Sequence, residues 1–293
     1  MRTVAAHVEI RRLTTAAAVK PLEGLQREVW AMDDWREVVP VHQLLTAALH
    51  GGILLGAYVD GNLVGFSYAF AGLEAGESVL CSHMLGVLPD YRRLHLGERL
   101  KWEQRRAALE QGTALVSWTY DPLETGNGAL NLRRLGAVSH TYSENLYGTM
   151  DDGLNAGLPT DRLTVEWHLR SRRVTDRAAG QVPDHTAAAA AAGALSRPQR
   201  RDDGLLAPGA DPLPPEPAQP AGYKLILPRP FQAVKLADAG LAQAWRLHVR
   251  QACQQCFAAG YWLTGIAWTA DGAGAQYLFT LPDPAEEAEG RAR

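Results

Sequence analysis

Residues 85–97 read LGVLPDYRRLHLG, and the rest of the fold is read outward from them. An apolar run over 78–88 stops at Pro89-Asp90, Arg92 and Arg93 follow, and a helical pattern opens over 94–97. Proline fixes φ and lacks the N–H that a strand ladder needs, so the strand ends there. A helix beginning just past such a turn presents unpaired backbone N–H groups. Its dipole adds roughly half a positive charge at the same end. With two arginines alongside, the segment is expected to hold an anion, and a phosphorylated ligand suits it.

Downstream, 94–111 has helical periodicity and is stopped by Gly112, and 114–120 is a β-rich strand ending at Asp121-Pro122. A helix is expected over 128–135, closed by Gly136, then a strand over 137–147. Leu163, Val165, Trp167 and Leu169 alternate with polar residues as a half-buried strand does. Upstream, 8–13 reads as a short strand, 14–31 as a helix interrupted by Pro21 and Gly24, and 41–50 as a second helix. The strands 53–59 and 63–70 flank Asp60-Gly61-Asn62, a hairpin signal. The order β-α-α-β-β-β-α-β-α-β-β predicts a mixed α/β fold over residues 1–170, a central sheet flanked by helices.

From 171 to 220 the pattern collapses into the alanine run 187–192 and the proline-rich DPLPPEPAQP, which reads as a flexible linker. Order is expected again over 221–282 as a small C-terminal β-α-β-β unit, followed by a tail over 283–293. That unit is small for independent stability, so it is expected to dock on the main sheet or on a second subunit; a homodimer follows in the latter case.

A net charge of −3 gives no general pull toward nucleic acid, and no stretch approaches the roughly 20 apolar residues of a membrane span. The N-terminus lacks the apolar run of a signal peptide. Three cysteines cannot build a disulfide framework, so a cytoplasmic setting is expected. Cys253 and Cys256 recur at helical spacing with Leu241, Trp245 and Val249, which favours core packing over a metal site; no metal is expected.

Neither a G-x-G-x-x-G fingerprint nor a G-K-[ST] loop is present. What remains, a strand, a proline and Arg-Arg-Leu-His-Leu-Gly opening a helix, resembles the acyl-CoA motif of the GNAT acetyltransferase superfamily, V-x-P-x-x-[RQ]-x-x-G-x-G/A. Val87, Pro89, Arg92 and Gly97 match it, and His95 stands at the first glycine. TYDPLETGNGALNLRRLGA and YGTMDDGLNAGLPTDRLTVEW are similar to an incompletely characterised, predicted-acetyltransferase branch of that superfamily. The resemblance covers residues 8–170. It implies that strands 78–88 and 114–120 lie parallel and splay apart to admit the pantetheine arm of an acyl-CoA. Leu85, Gly86 and Val87 would line that arm, with the Leu85 N–H polarising the thioester carbonyl. Arg92, Arg93, Leu94, His95, Leu96, Gly97 and Glu98 would meet the pyrophosphate. Asn127 and Asn131, four apart on one helical face, resemble the superfamily's cofactor-contacting asparagine position; helix capping is the alternative for Asn127.

Direct transfer to an amine needs a base, and a proton for the departing thiolate helps it leave. His83, read as sharing a strand face with Leu85 and Val87, is the first base candidate and Glu77 the second, with a structural role the alternative for His83. Tyr142 or Tyr147 follows the helix after which many of these enzymes carry an acidic tyrosine, and each also suits a core. Asp121 ends a strand where α/β sheets bind ligands, though a turn role is favoured. The loop 153–162 suits a substrate lid. Arg162, and after it Arg133 or Arg134, would clamp an acceptor carboxylate, against a solvated arginine as the default.

The expectation is an acyl-CoA-dependent N-acyltransferase carrying an acetyl or succinyl group to a small amine, an amino acid favoured. The alternative is a non-catalytic acyl-CoA sensor or assembly module, and a protein acetyltransferase is a third reading.

Overall fold

The computed structural model describes residues 6–32, 34–74, 76–150, 156–212 and 222–283. No helix among them is long and apolar enough to cross a membrane. Their packing divides them into two units. One runs to Trp118 and includes His168–Arg170, and the other comprises Thr119–Trp167 and the residues from Ser171 on. The fold is mixed α/β.

The first unit is built on five strands in the order β1 (Val8–Arg12), β2 (Ile53–Val59), β3 (Asn62–Glu74), β4 (Glu77–Val87) and β5 (Leu115–Tyr120). The pairs are antiparallel until the last, where β4 and β5 run parallel. The β2–β3 turn carries Asp60 at φ 49° and Gly61 at φ 82°, the left-handed pair that a tight hairpin demands. The expected helix over 14–31 divides into α1 (Ala16–Val19) and α2 (Pro21–Trp30), because Pro21 begins a new helix more readily than it continues an old one. With α3 (Val41–Leu49) they cover one sheet face: Val19, Leu22, Leu25 and Leu44 bury against Leu54, Phe66, Tyr68 and Met84. Each such side chain stabilises the fold by about 1.5–3 kcal/mol.

The helix after β4, α4 (Leu96–Glu110), packs against β2, β3 and β4 through Leu96, Leu100, Ala107 and Ala108. It begins two residues later than the periodicity suggests. Pro89–Leu94 forms a 3₁₀ turn, and His95 then takes a left-handed conformation at φ 54°, which no α-helix contains.

The second unit holds α5 (Thr125–Gly128), β6 (Val138–Ser143), β7 (Arg162–His168), α6 (Arg172–Ala178), α7 (Thr186–Ala191), β8 (Gly193–Ala194), β9 (Gln199–Arg200), β10 (Leu206–Ala207), β11 (Tyr223–Pro228), α8 (Phe231–Ala237), α9 (Ala239–Ala258), β12 (Trp262–Trp268) and β13 (Gly274–Thr280). Six strands pair in the order β7-β6-β12-β13-β11-β8, and β9 pairs with β10. Leu263 of β12 meets Ser139 of β6, so the C-terminal strands extend a sheet of their own chain. The expected helix over 237–259 follows α8 after a break at Asp238, whose side chain caps α9 by accepting from the Leu241 N–H at 2.9 Å. Cys253 and Cys256 lie fully buried on α9 with Trp245 and Val249.

Residues 171–212 carry more order than their composition suggests. Ala189 and Ala192 of the alanine run pack on Ala267 and Leu278, and Leu195 is buried. Ser196 Oγ lies 2.7 Å from His248 Nε2, and Trp245 Nε1 donates to the Leu206 carbonyl at 2.8 Å. Small side chains that cannot make a core among themselves can still lie flat on a sheet supplied by the rest of the chain. The proline-rich remainder, 213–221, lies outside the described residues, as do 284–293 of the expected tail.

Candidate functional site

Parallel pairing of β4 with β5 registers only three positions: Val79 with Leu115, Leu80 with Val116 and Cys81 with Ser117. β4 continues to Val87, held on its other edge by β3 as far as the Gly65–Val87 pair. Over 82–87 the β5-side edge of β4 therefore carries backbone groups with no described pairing to β5. α4 starts just past the end of that edge. Its first turn has no side-chain cap, and its first intrahelical bond is Arg99 N–H to the His95 carbonyl. The N–H groups of Leu96 and Gly97 have no described backbone partner and face the start of the helix, where a ligand or water can meet them. Arg92, whose Nε donates to the Val87 carbonyl at 3.3 Å, and Arg93 are exposed beside them, as are Leu94 and His95.

A Cβ built on Gly97 would meet only Leu85 Cδ2 at 3.7 Å, so nothing among the described residues fills the space over that glycine. A Cβ on Gly86 would approach Val29, Phe66 and Trp30 within 3.1 Å, which makes that glycine a packing requirement. His95 takes the φ that glycine adopts freely. His95 thus holds a backbone conformation that favours glycine, with an imidazole attached.

His83 does not share a face with Leu85 and Val87. Tyr68 pairs with Met84 and Ala69 with Ser82, so His83 is the extra residue of a β-bulge. Leu85 faces α4 at Gly97, and Ser82 faces α4 at Lys101. His83 instead packs edge-on against Tyr68, 5.9 Å between centroids, and near Phe70 at 6.1 Å, on the side of α1–α3. Burial against these rings lowers its pKa below the usual histidine value. The imidazole remains exposed to solvent, so near neutral pH it is an accessible base with a free lone pair. Glu77 lies exposed at the start of β4.

Sequence reasoning missed Lys101. On α4 it falls among apolar neighbours and is 2% exposed, where a lysine is ordinarily read as solvated. Its Nζ donates to Ser82 Oγ at 2.7 Å and to Gln104 Oε1 at 3.3 Å, and lies 3.5 Å from the centroid of the Trp118 ring. Burial holds its pKa well below the usual lysine range. The available signal was spacing: Gly97, Lys101, Gln104 and Ala108 form one helical stripe.

The remaining expected site residues belong to the second unit. Asn127 is exposed and Asn131 buried, and the expected helix becomes α5 followed by a π-helical stretch, Ala129–Arg134. Asn131 Nδ2 has no partner. Tyr142 donates to Asp161 Oδ2 at 2.7 Å, and burial raises its pKa further, so its proton is committed to that carboxylate. Tyr147 is half exposed, shares a 2.8 Å hydrogen bond with Thr119 Oγ1 and faces the Arg162 guanidinium at 5.3 Å. Of the two tyrosines, it keeps the accessible hydroxyl.

Asp121 serves more than a turn. It accepts from the Leu123 N–H at 2.8 Å and from Arg246 Nη1 and Nη2 at 2.9 and 2.5 Å. Arg162 Nη1 lies 3.8 Å from the same carboxylate and donates to the Asp161 carbonyl at 2.9 Å. Asp161 itself is fully buried. Burial opposes its ionisation, but bidentate Arg250, the Asn145 N–H and Tyr142 outweigh that and lower its pKa. Arg246, Asp161 and Arg250 carried no sequence signal, since their partners lie up to 125 residues away. Glu124, hydrogen-bonded to Gln232, has its pKa raised by burial. Of the expected lid, 153–155 lie outside the described residues.

No protein-family profile matches the chain, and no curated protein does. Solved structures to which it is similar include the ribosomal-protein-S18-alanine N-acetyltransferase from Escherichia coli, at 16% identity over 56% of this chain and 96% of that one, with a TM-score of 0.46. An acetyltransferase of the GNAT family from Streptococcus pneumoniae matches at 15% identity over 55% and 98%, TM-score 0.44. The aminoglycoside N-acetyltransferase AAC(6')-Iy in complex with CoA matches at 18% identity over 45% and 88%, TM-score 0.36.

Proposed function

We propose that this protein is an acyl-CoA-dependent N-acyltransferase of the GNAT type, transferring an acetyl or succinyl group directly to a small amine, with an amino acid the favoured acceptor. The observation that carries this reading is the parting of β4 from β5 after three pairs, next to the uncapped start of α4. A pantetheine arm carries amide groups and can pair with a free strand edge as an added strand does. The pyrophosphate would then meet the N–H groups of Leu96 and Gly97, with Arg92 and Arg93 supplying charge.

In this reading the amine attacks the thioester carbonyl, the C–S bond breaks, and CoA leaves as a thiolate. His83 takes the proton that the amine must lose. A bulge frees backbone donors of β4 from regular pairing, and one such N–H aimed at the developing oxyanion would contribute a few kcal/mol. The test is calorimetric binding of CoA together with thiol release from acetyl-CoA and succinyl-CoA across a panel of amino acids and polyamines. Turnover is expected, falling by about 10²–10⁴-fold in His83→Ala. Turnover is also expected to weaken on the acid side as His83 protonates below the usual histidine pKa. CoA binding without turnover would favour a sensor, and failure to bind CoA would overturn the reading.

A further inference from the structure

Ser82 and Trp118, the two strand residues that hold Lys101, are the first on their strands beyond the last β4–β5 pair, Cys81 with Ser117. The Nζ therefore sits at the fork where the two strands part, on the α4 face. Its surroundings are rich in donors and short of acceptors. Gln104 Oε1 is already taken by Lys101, while Gln104 Nε2, in a side chain with no exposure, has no partner among the described residues. The described partners of the amine are neutral: Ser82 from β4, Trp118 from β5 and Gln104 from α4 itself. Among the described residues no carboxylate pairs with it, and burial alone accounts for its lowered pKa.

An ammonium taken out of water without a counter-charge costs several kcal/mol, and a methionine or leucine would fill the same space at no such cost. A cluster of this kind lacks one thing, an anion with two acceptor oxygens. The bulge indicates which reactant brings it. His83, the proposed base, lies on the α1–α3 side, and the acceptor amine must reach it there. Lys101 lies on the opposite face with Ser82 and Leu85, the face the donor follows to α4.

We infer that Lys101, with Ser82 and Gln104, recognises a carboxylate at the far end of the donor's acyl chain, so that the preferred donors are dicarboxylic acyl-CoA thioesters of the succinyl class. This rests on the acyl-CoA reading above and narrows it. Trp118 shields the pair from water, which strengthens it. The carboxylate also draws a proton onto the amine as it binds.

The test is calorimetry on the full chain without acceptor, comparing CoA, butyryl-CoA and succinyl-CoA, the last two matched in chain length and differing in the carboxylate. Succinyl-CoA is expected to bind at least about tenfold more tightly than butyryl-CoA. In buffers of different ionisation enthalpy, its binding at a pH above the folded pKa of Lys101 should take up a proton, whereas that of butyryl-CoA should not. In Lys101→Met the two affinities should fall within about twofold of each other and the proton uptake should vanish. Equal or tighter binding of butyryl-CoA by the unmodified chain overturns the inference, whatever the variant does, as does a preference that survives Lys101→Met. If CoA binds and no preference appears, only this inference falls; if CoA itself does not bind, the acyl-CoA reading falls with it.

Discussion

In the second unit, the buried Arg246 meets Asp121 through two hydrogen bonds, and Asp161 is met by Arg250, Tyr142 and a backbone N–H. In the first unit, Lys101 is buried just as deeply among a serine, a glutamine and a tryptophan. The same chain thus pairs its buried ionisable groups within itself in one region and leaves one without a counter-charge in the other. A paired charge fixes a fold and asks nothing of a ligand. An uncompensated one sits poorly until something arrives, which makes Lys101 the better marker of function although Arg246 has the shorter contacts.

The comparison can be broken from either side. Asp121→Ala would strand the Arg246 guanidinium in the interior, and chemical denaturation should show a loss of about 3–5 kcal/mol. A loss below 1 kcal/mol would mean that the pair is ornamental. Lys101→Met should act in the opposite direction and stabilise the ligand-free protein by about 1 kcal/mol near neutral pH. The sign follows from proton binding. A lysine whose folded pKa lies below its unfolded value holds fewer protons when folded, so stability rises with pH from the folded pKa up to about 10.5. That alkaline rise should flatten in Lys101→Met, and its persistence would show that another group causes it.

The smallest effect is expected at His95. A non-glycine residue in the left-handed region costs about 1–2 kcal/mol, and the extra freedom of an unfolded glycine returns part of that. His95→Gly should therefore raise the thermal midpoint by no more than a few degrees. A drop would mean that the imidazole makes a stabilising contact of its own.

Much of this could be read from local chemistry. Asp60-Gly61 carries its turn type in its residue types, and Pro89 ends β4 because proline must. The helices that broke at Pro21 and Asp238 also broke for local reasons, a ring and a cap, which periodicity averages over. Other features depend on partners far away in sequence. The alanines near 189 are ordered by strands some eighty residues later, and Asp121 gains its role from Arg246. His83 shows the limit most clearly. Alternation along β4 assigns it a face, and one extra residue in the pairing with β3, invisible in the sequence of β4 itself, reverses that assignment.

That extra residue also bears on kinetics. Without it, His83 would point toward α4 with Leu85, and base and lysine would compete for one opening. With it, under the proposed reading, the sheet would act as a partition, with the thioester's tail on one side and the incoming amine on the other. Neither reactant then stands in the other's doorway, and their order of entry is expected to be random, with product CoA free to leave before or after the acylated amine.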